Sequence, residues 1–304
     1  MHPLVTALPE GTRYSVRVVS TGAPIVASIA RQRLSGGGST ISDASSEIGT
    51  MGAGRDRGYL PAARVLTGSE AHIEFFYANP GVAFTNISVQ FIRSNGQVIN
   101  SSANLTSLNR RARIDLTQVA GLWPDEFFSI RYVATGNANV SAVYTAEVGG
   151  DRMSTPFVTA SSRNLHLADG HFNPTLTFPN DIEEVFSVFN PFQQAGQNLR
   201  YNLLFRFSDN TQIQAFTNAQ PLGPLGRADW RAADFPAVLT KLQNQQAARF
   251  FSVIVTSEAD FATTGSMIAA QTTRIWWNLG LSTTMIASKS PDEPVFFANN
   301  PLFN

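Results

Sequence analysis

The chain has no cysteine, which excludes a disulfide framework, a thiolate nucleophile and any cysteine-ligated metal site. The same absence fits a cytosolic protein and a cysteine-free bacterial surface protein alike, so it does not fix the compartment. Charge is also scarce: Asp, Glu, Lys and Arg make up 14% of 304 residues, against the usual quarter or so. The 22 basic and 22 acidic residues cancel, so no net field steers the chain toward polyanions, and nucleic acid is not an expected partner. Near-zero net charge also weakens the repulsion between copies and so permits self-association. Lysine is almost missing, since Lys241 and Lys289 are the only two and the other basic residues are arginines. No apolar run reaches the ~18 residues that suggest a membrane span. The opening residues, Met1-His2-Pro3-Leu4-Val5-Thr6, lack the basic and apolar regions of a signal peptide.

What is abundant is phenylalanine, with 22 copies, a residue that favours pleated, half-buried surfaces. The apolar residues are organised in a repeat. A strand ending in Asn-Pro occurs as Phe75-Phe76-Tyr77-Ala78-Asn79-Pro80 and as Phe186-Ser187-Val188-Phe189-Asn190-Pro191, 111 positions apart. Proline stops a strand because it has no N–H for the ladder. An alternating strand follows each copy: Ile87, Val89 and Phe91 before Asn95-Gly96, then Leu199, Tyr201, Leu203, Phe205 and Phe207 before Asp209-Asn210. Period-two alternation into such a turn is a strong hairpin signal.

Two further landmarks recur three times. An aromatic-Ser-aliphatic strand appears as Tyr14-Ser15-Val16, Phe128-Ser129-Ile130 and Phe251-Ser252-Val253. A short strand ending in alanine follows as Tyr59-Leu60-Pro61-Ala62, Leu165-His166-Leu167-Ala168 and Val295-Phe296-Phe297-Ala298. From the aromatic to the alanine the spacings are 48, 40 and 47 positions. The repeat of roughly 110 residues divides the chain into a back half-unit at 1–56, complete units at 57–161 and 162–290, and an apolar tail at 291–304. A chain cut out of phase with its repeat is expected to be a fragment, or a subunit completed by its neighbours.

The stretch from Ser35 to Gly58 opens Gly/Ser-rich and is expected to be a loop or linker, as is Ser154 to Arg163 between the two units. One short crossover helix is expected, with Asp234 as N-cap and Phe235 to Gln246 as its body. Asp115 to Val119 is its shorter counterpart, and covering a sheet edge is a suitable task for both.

The pattern resembles the tandem β-sandwich repeats of secreted bacterial surface proteins. The residues carrying that resemblance are Phe128 to Ala146, Leu167-Ala168-Asp169-Gly170 and Phe189-Asn190-Pro191, and it spans most of residues 57 to 290. It implies an all-β fold of immunoglobulin-like sandwich units and an extracellular or cell-surface setting. It implies no activity, because such units serve as spacers, adhesins and assembly modules alike.

No catalytic constellation emerges. There is no Gly-x-Ser-x-Gly elbow, and Gly36-Gly37-Gly38 precedes neither a phosphate-loop lysine nor a helix. His166 and His171 flank Asp169 but lie across a turn, with no further ligand at a standard spacing. Asp181, Glu183 and Glu184 are the best calcium candidates, since hard cations take clustered oxygens; a solvated hairpin end is the simpler reading. No cofactor is implied. Among the four tryptophans (Trp123, Trp230, Trp276 and Trp277), the adjacent pair points to opposite faces of one strand, so one of the two is expected in a core or interface.

Two functions follow as expectations. The first is a non-enzymatic structural or assembly module, in which Val295, Phe296, Phe297, Pro301, Leu302 and Phe303 add a strand to a neighbour's sheet edge. Its partners would be copies of itself or other surface proteins. The second is a polysaccharide-binding module that uses Trp276 or Trp277 with Arg274 and Asn278.

Overall fold

The computed structural model describes residues 28–35, 40–48, 56–77, 84–106, 111–135, 140–148, 151–158, 160–172, 182–244, 250–260, 268–277, 281–289 and 296–297. The chain is all-β. In order, the first strands are β1 (Ser28–Ser35), β2 (Thr40–Ile48), β3 (Arg57–Arg64), β4 (Ala71–Tyr77), β5 (Phe84–Arg93) and β6 (Val98–Thr106). Next come β7 (Arg111–Asp115), β8 (Phe127–Ala134), β9 (Val140–Val148), β10 (Asp151–Pro156), β11 (Ala160–Ser161) and β12 (Asn164–His171). Then follow β13 (Ile182–Phe189), β14 (Leu199–Phe207), β15 (Gln212–Gln214), β16 (Gln220–Leu222) and β17 (Arg227–Trp230). Helix α1 (Pro236–Asn244) precedes β18 (Phe250–Ala259), β19 (Ala269–Trp276), β20 (Leu281–Ile286), β21 (Ser288–Lys289) and β22 (Phe296–Phe297).

Two pairs of sheets enclose two separate cores. In the first pair, one sheet has the order β3-β8-β5-β6 and the other β10-β9-β4-β7. Leu60, Phe91, Phe128, Ile130 and Tyr132 from the former meet Ile73, Phe75, Val140 and Tyr144 from the latter. In the second pair, β12-β18-β14-β15 faces β20-β19-β13-β17. Leu167, Leu203, Phe205, Phe251 and Val253 there meet Phe186, Val188 and Ala270. Alternation builds these faces: β14 reads buried at Leu199, Tyr201, Leu203, Phe205 and Phe207, with Arg200 and Arg206 exposed between them.

The two pairs share strand order and register. Ala63 opposes Phe128 and Leu60 opposes Ile130, just as Gly170 opposes Phe251 and Leu167 opposes Val253. Each of β3 and β12 carries a bulge between those residues, so Ala62 and Ala168 both fall inside it. A β-carbon on Gly170 would collide with the Phe251 ring, which explains a glycine after the bulge. The two Phe-Ser-aliphatic strands thus occupy the same place in their sheets.

The sheet β3-β8-β5-β6 is covered on both faces at its β3 end, while the outer face of β6 stays open to solvent. β3 is buried from Arg57 through Ala63 without alternation, the pattern of a strand enclosed on two sides. Its inner face belongs to the first core. Its outer face lies against β13 and β19, where Tyr59 and Ile92 pack with Phe189 at 0–2% exposure. Burying side chains of this size contributes about 1.5–3 kcal/mol each. The molecule is therefore layered sheet on sheet, and its two halves meet face to face.

Three details depart from the sequence reading. Strand β2 lies inside the stretch from Ser35 to Gly58, paired with β1 from Ser28↔Ile48 to Ser35↔Thr40; the Gly/Ser composition concealed a hairpin. The segment Ser154 to Arg163 is sewn into the fold: β10 runs to Pro156, Phe157 enters the first core, Val158 bridges Tyr59 and Ser162 bridges Ile268. Finally, Asp234 sits in a 3-10 turn, Ala232–Asp234, and its carboxylate accepts from Arg231 N at 2.7 Å. The helix then starts at Pro236, a position where a missing N–H costs nothing. Phe235, Val238 and Leu242 enter the second core while Leu239 is half-buried. The 3-10 turn Leu116–Gln118 occupies the matching connection, with Asp115 accepting from Thr117 N at 3.1 Å.

Candidate functional site

The densest polar arrangement among the described residues lies on the seam between the two halves. Glu183 comes from β13, at a position that faces the first half. Its carboxylate accepts from Arg64 Nη1 at 2.8 Å and from Arg231 Nη2 at 3.3 Å. The Arg64 guanidinium also donates through Nε to Asp125 O at 3.0 Å, and it lies 4.9 Å from the Phe127 ring and 5.6 Å from the Trp277 ring. Trp277 in turn packs with Leu66 and Ile275. Planar forked donors suit such sites, because each guanidinium serves acceptors and aromatic faces together.

Further along the seam, Arg227 donates to Phe127 O at 2.7 Å while its Nε meets Asp229 Oδ2 at 2.9 Å. Ser187 Oγ donates to Asp229 Oδ1 at 2.7 Å. Gln271, fully buried, donates to Ala62 O at 2.9 Å. Gln90 Oε1 accepts from Arg131 Nη1 at 3.0 Å and from Gln193 Nε2 at 3.1 Å, so one amide receives donors from both halves. Burial drives Tyr59 above the ordinary phenol range, with Arg131 and Arg57 opposing it, and burial drives Arg131 below the ordinary guanidinium range. These groups hold two sheets together. Within the described residues, no cluster of three or more His, Asp or Glu side chains could hold a metal ion.

The sequence candidates separate when placed on the fold. Glu183 and Glu184 are neighbours on β13 and so point to opposite faces. Glu183 serves Arg64 and Arg231, while Glu184 accepts from Arg274 Nε at 2.7 Å. Guanidinium groups engage both carboxylates; Asp181 lies outside the described residues. The polysaccharide candidates are described only in part. Arg274 is 6% exposed and engaged with Glu184, and Trp277 is held at the seam under Arg64. Trp276 is on β19 without a described side chain, and Asn278 is outside the described residues. Trp230 lines the second core, where its Nε1 donates to Tyr201 OH at 2.7 Å. Burial raises Tyr201 to about 12 against that hydrogen bond.

His166 is part-buried on β12, opposite Ile254 and Ser288, and the His171 ring lies 5.1 Å from Phe250. Of the apolar tail, Phe296 and Phe297 form β22 and pair with Ser161 and Ala160 of the same chain. Val295, Pro301, Leu302 and Phe303 lie outside the described residues. The seam itself went unread in the sequence, although the nearly unbroken apolar run Gly58 to Ala63 on β3 marks a strand covered on two sides.

No protein-family model matches the chain, and no curated protein matches it. Among solved structures, one described as "Crystal Structure of Thermotoga maritima 1070" aligns with 34% of this chain and 93% of its own. The identity is 14% and the TM-score 0.30, a likeness too slight to bear on fold or function. No helix among the described residues is long and apolar enough to cross a membrane.

Proposed function

We propose that the chain is a non-enzymatic structural and assembly module of a bacterial surface or filament protein. In this reading the two sheet pairs are tandem copies of one immunoglobulin-like β-sandwich unit, related by their shared strand order and register. The observation that carries the reading is the seam: the β3 end of a sheet face, with Tyr59, Ile92, Phe189, Gln271 and the Glu183 ion pairs, is used to fix one unit on the other. Such a joint suits a rigid spacer better than a hinge around a ligand.

Assembly is assigned to the C-terminal segment 291–304. The two-residue pairing of β22 with β11 is short enough to be exchanged between copies, since one chain's strand can occupy a neighbour's β11. Low charge favours the same association. Sedimentation velocity over a range of concentrations tests this. The full chain is expected to show a concentration-dependent species that disappears when residues 291–304 are removed. Identical profiles for the two proteins would remove the assembly role from this segment.

A further inference from the structure

The most exposed large apolar side chain among the described residues is Trp123, at 60%. It stands on a turn that is fixed from several directions. Asp125 adopts φ of 65°, uncommon for a residue with a β-carbon. Its N–H donates to Val65 O at 2.7 Å, and its carboxylate accepts from Thr67 Oγ1 at 2.8 Å. Glu126 ties the other side, accepting from Ser94 Oγ at 2.6 Å and from Arg93 Nε at 3.0 Å. Arg93 is 6% exposed and also donates to Gln97 Oε1 at 2.7 Å. Its guanidinium carbon lies 3.6 Å from the centre of the Trp123 ring. One face of the indole is thus closed by a side chain that is itself locked, and the ring is held in place rather than swinging in solvent. Backbone in a sparsely populated region points to a function when the surroundings enforce it, and here Val65 and Thr67 on one side and Arg93 and Ser94 on the other enforce it.

We infer that Trp123 is a stacking platform for a sugar ring, which makes this end of the first unit a carbohydrate-binding site. A single open indole face matches the apolar C–H face of one pyranose in size. Its surroundings are polar: Ser94, Asn95, Gln97 and Asp125 are exposed beside it, and Glu126 lies on the far side of Arg93. These groups accept from and donate to sugar hydroxyls. A protein partner needs a wider apolar core around its anchor than one ring supplies. Arg93 and Glu126 cancel as an ion pair, and the exposed Asp125 carboxylate that remains disfavours a polyanionic glycan and points to a neutral one. The inference is independent of the assembly reading, and its site lies on a different element of the fold from Trp276 and Trp277.

The test is affinity electrophoresis of the full chain in native gels containing hydroxyethylcellulose, laminarin, galactomannan or a neutral arabinan. At least one polymer is expected to retard the protein. Trp123→Ala should weaken that retardation by about tenfold or more, the loss of one anchoring side chain, whereas Trp123→Phe keeps part of it. Circular dichroism of both variants should match the parent, because Trp123 is outside the core. Absence of retardation by all four polymers, or equal retardation of the parent and Trp123→Ala, would overturn the inference. So would a change in the sedimentation profile of Trp123→Ala without any polysaccharide retention, which makes the ring a contact between copies.

Discussion

Replacing Asn190 should be among the most damaging single changes outside the apolar core. The side chain is fully buried at the end of β13, and both ends of its amide are hydrogen-bonded, the two N–H groups sharing three carbonyls. Nδ2 donates to Gln197 O at 3.0 Å, Leu222 O at 3.0 Å and Gly223 O at 2.9 Å, while Oδ1 accepts from Phe192 N at 3.0 Å. The bonds to Leu222 O and from Phe192 N are shielded from water, so losing them strands two buried polar groups at roughly 1–2 kcal/mol each. The bonds to Gln197 O and Gly223 O are nearer solvent and water partly replaces them. Asn190→Ala should therefore lower stability by about 3 kcal/mol, read as a shift of the urea midpoint followed by circular dichroism.

Asn190→Asp separates hydrogen bonding from packing. It keeps the acceptor for Phe192 N but turns a carboxylate toward three carbonyl oxygens, so at neutral pH it should be the worse of the two. Burial beside carbonyl dipoles raises the folded-state pKa of that aspartate. Its penalty is then complete above the raised value and shrinks as the pH falls toward the unfolded value. A loss under about 1 kcal/mol for Asn190→Ala, or a penalty for Asn190→Asp that does not change with pH, would refute this reasoning.

Two further outcomes follow from the ion pairs. Glu183→Ala leaves the half-buried Arg64 at the seam without its carboxylate and should cost about 1–3 kcal/mol in thermal or urea unfolding; an effect below about 0.5 kcal/mol, the size of an ordinary surface change, would show that the seam ignores this charge. The hydrogen bond from Lys241, with Thr211, holds Asp209 at about 2, below the usual aspartate range. Its folded value is the lower one, so its contribution is complete above the unfolded pKa and disappears as the pH falls through about 2. Lys241→Met should flatten the acid limb of the stability profile below about pH 4, and an unchanged limb would dissociate this pair from acid unfolding.

The parts of the fold that were legible in the sequence are those set by local alternation. Phe128-Ser129-Ile130 and Phe251-Ser252-Val253 stand at matching registers because each supplies alternate residues to a core, and that pattern is written in the chain itself. The Asn-Pro landmark was visible too, although its cause was not. Proline explains where the strand ends, but it is the Asn190 amide, reaching carbonyls over 30 positions ahead, that anchors the next turn. The stacking of one half on the other was hidden because it depends on pairs far apart in sequence, such as Gln271 with Ala62. The same distance hid the partners of Glu183 and Glu184: Arg64, over a hundred positions earlier, and Arg274 are brought beside them only by the fold. Trp123 carried only a faint signal, an aromatic next to Gly121 and Pro124 in a turn, and nothing local announced Arg93 beneath it.

The central claim is that the two sheet pairs form one body through a buried seam, and differential scanning calorimetry tests it most directly. The full chain should show a single transition, with calorimetric and van't Hoff enthalpies in a ratio of about 1, that splits into two when Tyr59→Ala and Gln271→Ala are combined. Two independent transitions in the unaltered protein would contradict it.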